Sequence, residues 1–146
     1  MTDSRRIDLA AGLLRTGLGT MFIAHALLKY YVFTLPGTAQ FFTSLGLPGA
    51  LGHITFAAEL AGGVMLVFGA WTRIVAFALV PILLGATWAH AGNGWLFSAA
   101  NGGWEYPAFL TLAAVVVGLL GNGRDAVAAP AGRMRDVGGQ SQRAGA

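Results

Sequence analysis

Residues 51–91 read LGHITFAAELAGGVMLVFGAWTRIVAFALVPILLGATWAHA, and the only formal charges among them are Glu59 and Arg73. The apolar runs on either side of Arg73 do not alternate with polar residues, as the strands of a membrane β-barrel must. An α-helix crosses the hydrocarbon core of a bilayer with roughly 20 apolar residues, and it satisfies its own backbone hydrogen bonds while doing so. Each run has that length. The stretch therefore reads as two spanning helices, at about 51–70 and 73–91, joined by a minimal turn around Gly69–Arg73.

Outward from this pair, two further apolar segments suit spans, at about 8–31 and 104–121. Thr34-Leu35-Pro36-Gly37 is a turn cluster, and the short apolar piece Ala39–Leu47 after it is closed by Pro48-Gly49. Gly92-Asn93-Gly94 through Gly102-Gly103 forms a loop, and Gly121-Asn122-Gly123 stops the last helix. The expected fold class is all-α, an integral membrane four-helix bundle forming one domain over residues 1–123. Gly12, Gly17, Gly19, Gly62, Gly63, Gly85 and Gly118 fall inside the spans, where small residues let helix axes approach closely. Residues 124–146, rich in Ala, Gly, Arg and Gln, have little to bury and are expected to form a disordered basic cytoplasmic tail.

Composition agrees with this reading. The 146 residues are 55% hydrophobic and only 10% charged, with a mean hydropathy of +0.64. A soluble domain carries about 25% charged residues. The absence of cysteine excludes disulfide exchange, thiolate nucleophiles, cysteine-ligated iron–sulfur clusters and covalent c-type haem from this chain. The net charge of +3 comes from arginines that flank apolar segments, so it marks topology and not a nucleic-acid surface. Arg5 and Arg6 precede the first span, Arg73 lies in the second-to-third turn, and Arg124, Arg133, Arg135 and Arg143 follow the fourth. The positive-inside rule puts both termini and the Arg73 turn in the cytoplasm. Arg5-Arg6 before an apolar run is a signal-peptide-like beginning, but Arg15 interrupts the run and its length exceeds an h-region. It is read as a retained first span.

Ionisable groups inside spans are costly and by default face the protein interior. At a rise of about 1.5 Å per residue, His25 lies about 9 Å and Glu59 about 12 Å below the outer ends of their helices. Lys29, His53, His90 and Glu105 fall within roughly 4 Å of that boundary on the same scale. The expectation is a polar cluster in the outer half, with Glu59 as its deepest ionisable group and His25 or Lys29 as its partner. Two uses compete: an outward-opening ligand or proton pocket built from His25, Lys29, Glu59, His90 and Glu105, or a hydrogen-bonded lock between the first and second spans. Glu105 also suits a helix N-terminus, where the dipole favours a carboxylate. Arg15, nearer the inner leaflet, is expected to snorkel. The three histidines show no metal-type spacing, so no metal is assigned. Tyr30, Tyr31, Trp71, Trp88, Trp95 and Trp104 read as interfacial anchors.

These residues resemble the DoxX family of small bacterial inner-membrane proteins. The likeness runs from Arg15–Gly19 with Phe22, His25 and Lys29, through Gly37–Pro48 (GTAQFFTSLGLP), to Glu59–Gly63 (ELAGG) with Gly69, Thr72 and Arg73. It closes with His90, Asn93-Gly94 and Asn101–Pro107 (NGGWEYP). Two positions depart from the pattern: Ala26 stands where relatives often have Gly, and Trp104 where a tyrosine is common. The resemblance implies a four-helix membrane bundle with a short outer-surface helix between the first and second spans, a place Phe41, Phe42 and Leu45 suit. Some relatives are associated with membrane redox systems, including thiosulfate-to-quinone electron transfer, and many have no assigned activity.

The leading expectation is a redox-associated subunit of the bacterial inner membrane that contacts a quinone or a partner oxidoreductase. The chain holds no intrinsic cofactor in this reading and leans away from being an enzyme by itself. A small-solute or proton carrier, in which Glu59 titrates during transport, is one alternative. A structural or assembly factor with no chemistry of its own is another. The expected surroundings are lipid bilayer, a partner oxidoreductase or a second copy of the chain, and no nucleic acid.

Overall fold

A computed structural model describes residues 2–123 and 126–127. It has five α-helices, α1 (Asp3–Tyr31), α2 (Leu35–Ser44), α3 (Ala50–Phe68), α4 (Thr72–His90) and α5 (Glu105–Leu120). A 3₁₀ turn, Ala91–Asn93, extends α4, and there is no strand among the described residues. Apart from Ala126 and Val127, the expected basic tail lies outside the described residues. The Val127 amide donates to the Phe68 carbonyl at 2.9 Å, so this much of the chain returns to the end of α3.

α1, α3 and α4 with its 3₁₀ extension are long and apolar enough to cross a membrane. α5 is apolar but shorter, at 16 residues, or about 24 Å of helix. The exposed surface is studded with large apolar side chains, among them Leu13 (67% exposed), Ile74 (71%) and Phe109 (65%). The buried positions include many small ones: Ala11, Gly12, Gly19, Ala26, Gly62, Gly63, Ala76, Ala113, Ala114 and Gly118. Lipid already solvates large apolar groups, so helices gain from close backbone approach and tight packing rather than from removing apolar surface from water. This is a membrane protein.

α1 packs chiefly on α3 and α4 on α5, while α1 and α5 touch only briefly. The α1–α3 crossing is a backbone contact: a Cβ on Gly19 would sit 2.7 Å from the Gly63 carbonyl oxygen. Leu18, Phe22, Leu66, Val75, Leu79, Leu83 and Val117 fill the space between the two pairs.

Two boundaries differ from expectation for local reasons. α1 begins at Asp3 and not near residue 8, because an acid in the first turn suits the positive end of the helix dipole. The short helix covers Leu35–Ser44 instead of 39–47, since Thr34 caps it by accepting the Gly37 amide on its hydroxyl at 3.2 Å, with a proline in the first turn. The supposed turn cluster is thus the start of α2. α3 stops at Phe68 through a Schellman motif: Ala70 N donates to Met65 O and Gly69 N to Leu66 O, with Gly69 at φ +74°. Pro81 takes a donor from the middle of α4, yet the helix runs on to His90.

Candidate functional site

Side chains in a helix lean toward its N-terminus. α1 and α3 run antiparallel across the Gly19–Gly63 crossing, which sets Lys29 about 9 Å, nearly two turns, beyond the level of Glu59. Lys29 leans back along α1 and Glu59 leans back along α3, so the two converge. Lys29 Nζ donates to Glu59 Oε2 at 2.6 Å, with side-chain exposures of 18% and 8%. The deepest ionisable group of the outer half is thereby paired with Lys29, across the first and second spans.

His25 lies one turn below Lys29 on α1. Its Nδ1 is 2.8 Å from the Met21 carbonyl, which can only accept, so Nδ1 carries a proton. In the neutral ring, Nε2 is then an acceptor. The imidazole stacks on the Tyr106 ring of α5, with centroids 5.6 Å apart and planes 24° apart. The Tyr106 hydroxyl is buried and has no hydrogen-bond partner. A buried donor left unmet costs about 1–3 kcal/mol, which makes it a place where a ligand would be welcome. Nothing in its sequence position singles Tyr106 out, because an aromatic at a helix end reads as an interfacial anchor.

The other expected members engage elsewhere. His90 Nδ1 meets the carbonyls of Asn101 (3.0 Å) and Gly102 (3.2 Å), and Asn93 Nδ2 donates to the same two at 3.1 and 2.9 Å. Asn101 offers its carbonyl from a left-handed backbone, φ +69°. His90 also stacks on Phe41 of α2 at 6.5 Å. Glu105 accepts the Phe97 amide at 2.9 Å, fastening the same loop to the first turn of α5. His53 is exposed. Lys29 thus pairs with Glu59 of α3 and His25, one turn away on α1, stacks on Tyr106 of α5, while His90 and Glu105 organise the α4–α5 loop. Among the described residues, no three His, Asp or Glu side chains gather as metal ligands would.

Arg15 corrects an expectation. It is 2% exposed and does not snorkel. Its Nη1 donates to Leu66 O at 2.5 Å and Val67 O at 2.8 Å. These carbonyls belong to the last turn of α3, the negative end of that helix, where a cation is stabilised. The α1–α3 contact is thus held by a charged link at each end.

A curated relative from Bacillus subtilis (strain 168), named "Putative oxidoreductase CatD", is 39% identical over 83 residues, which is 57% of this chain. The match spans 60% of that relative's length. No solved structure matches. The DoxX family matches residues 10–92, a range that includes Arg15, His25, Lys29, Glu59 and His90. The chain belongs to the DoxX family.

Proposed function

We propose that this chain is a redox-associated subunit of the bacterial inner membrane that contacts a quinone, or a partner oxidoreductase, through the group formed by His25, Lys29, Glu59 and Tyr106. The observation that carries the reading is the unmet Tyr106 hydroxyl, on a ring stacked against His25, one turn along α1 from a closed ion pair. Charged and polar groups are expensive in a bilayer and tend to mark sites of function. The relative's name, "Putative oxidoreductase CatD", supports a redox setting. With no cysteine, the chain would bind and position, and the electron chemistry would belong to the quinone or the partner.

In this reading α5 makes a fourth crossing, and both termini and the Arg73 turn face the cytoplasm, the side that the positive-inside rule assigns to loops rich in arginine. A structural lock is the second reading, favoured by the Lys29–Glu59 pair satisfying itself at 2.6 Å. Native mass spectrometry of the protein in lipid nanodiscs with added quinone separates the two. A stoichiometric quinone adduct that is lost in Glu59→Gln and in His25→Ala is the expected result. A bundle that binds no quinone, or binds it equally well after both substitutions, overturns the proposal.

A further inference from the structure

α5 is short for a spanning helix. Its 16 residues give about 24 Å of helix, about 6 Å less than the hydrocarbon core of a bilayer. The shortfall is not made good at the Leu120 end. There Gly121, at φ +84°, turns the chain out of the helix, and a Cβ on it would lie 2.8 Å from Nε of Arg73. A guanidinium seeks the polar surface, and it pins this end of α5 there. The missing length therefore falls at the Glu105 end.

The loop 91–104 occupies that end. It carries no formal charge, and Trp95, Leu96 and Phe97 are 56%, 59% and 67% exposed in it. It does not reach away from the bundle. The Trp104 and Glu105 amides donate to Gly94 O and Trp95 O, both at 3.1 Å, and the Phe97 amide donates to Glu105 Oε1 at 2.9 Å. A Cβ on Gly103 would collide with the carbonyls of Trp95 and Leu96, so this fold-back requires glycine there. The three apolar residues are thus laid alongside the first turn of α5, with Trp95 packed edge-on against Trp104 at 4.6 Å. Phe109, one turn on from Glu105, is 65% exposed, so the apolar surface of the loop runs on into that of the helix.

The backbone of the loop suits the same surroundings. The carbonyls of Gly94, Trp95, Leu96, Ala99, Asn101 and Gly102 all accept hydrogen bonds from the loop itself or from the first residue of α5, the last two from Asn93 Nδ2 at 3.1 and 2.9 Å. Water would satisfy such carbonyls without any internal partner, whereas lipid satisfies none.

We infer that the loop is a lipid-seated collar on α5: Trp95, Leu96 and Phe97 enter the leaflet at the Glu105 end and supply the apolar length that the helix lacks. A span shorter than the bilayer otherwise thins it. This role rests on α5 making the fourth crossing, which the sidedness of labelling at positions 97 and 122 decides separately.

The chain has no cysteine, so single nitroxide labels can be placed in the full chain by cysteine substitution. Labels at Leu96→Cys and Phe97→Cys in dioleoyl phosphatidylcholine nanodiscs are compared with Phe109→Cys as the lipid reference and exposed Ser4→Cys as the aqueous one. The expected result is collision with oxygen several-fold above collision with a water-soluble nickel chelate at 96, 97 and 109, and the reverse at 4. Labels at 96 and 97 that behave like Ser4→Cys put the loop in water, and labels that meet neither relaxant put it under protein, a second copy or a partner. Either result overturns the inference while the fourth crossing stands. Labelling of 97 and 122 from one side removes the crossing and the collar together. The double variant Leu96→Ser, Phe97→Ser is also melted in dimyristoleoyl, dioleoyl and dierucoyl phosphatidylcholine, in order of increasing thickness. Its melting temperature should fall further below wild type in each thicker bilayer. An equal fall in all three would make the loop's role one of packing within the protein and overturn the proposal.

Discussion

Lys29→Met, Glu59→Gln and the double variant form a thermodynamic cycle around one 2.6 Å contact. Removing one partner of a buried ion pair costs about 3–5 kcal/mol, because the other is left charged in a poor environment. The two partners are not equivalent here. Lys29 lies two residues from the end of α1 and is 18% exposed at its side chain. Freed from Glu59, it can swing its ammonium toward the membrane surface. Glu59 is 8% exposed and half-way down α3, with a short side chain that cannot reach water. Glu59→Gln should therefore cost about 2 kcal/mol and Lys29→Met about 4 kcal/mol. The double variant removes both charges and should cost about 3 kcal/mol, a coupling of about 3 kcal/mol. At about 3 °C per kcal/mol for a chain of this size, the melting temperatures should fall by about 6, 12 and 9 °C. Tryptophan-fluorescence melts in nanodiscs read these shifts. Single effects that add to within about 0.5 kcal/mol would refute the ion pair as an energetic link, and a larger loss for Glu59→Gln than for Lys29→Met would refute the account of their unequal depth.

Arg15→Met should destabilise by about 3 kcal/mol or more, since it removes two charge-assisted bonds to α3, and amide exchange should rise first in the last turn of that helix. A loss below about 0.5 kcal/mol would show that the carbonyls are satisfied without it. The native absence of cysteine makes single-cysteine labelling free of background. Trp71→Cys and Asn122→Cys should react with an impermeant maleimide only from the cytoplasmic side and Phe97→Cys only from the outer side. Labelling of positions 97 and 122 from one side would mean that α5 does not cross.

Most of the bundle was legible in the sequence because lipid imposes one strong rule, and runs such as 51–70 and 73–91 obey it along their whole length. Three helix ends, near Tyr31, Phe68 and Leu120, fell close to their expected places because glycines and short polar turns mark them. The start of α2 was hidden by Pro36 and Gly37, which read as a turn until Thr34 is seen to cap them. The candidate site divides along the same line. Lys29 and Glu59 stand out as charges in apolar surroundings, so their importance shows without knowing the register. Which groups meet depends on how helices cross: Tyr106 joins His25 only because α5 returns beside α1, and Arg15 avoids lipid only because the end of α3 arrives beside it. Those facts reside in the packing of distant segments, and no local pattern encodes them.

The Arg15 link also bears on how the chain is made. Its acceptor at Leu66 lies 51 residues further along the chain. At synthesis rates of about 5–20 residues per second, α1 waits about 3–10 s before those carbonyls exist. During that interval its guanidinium has only water, lipid headgroups or the insertion machinery for company, at an insertion penalty of up to about 2.5–3.5 kcal/mol for a charge at mid-membrane. The first span is thus a segment that enters the bilayer early and settles late, and α3 completes it.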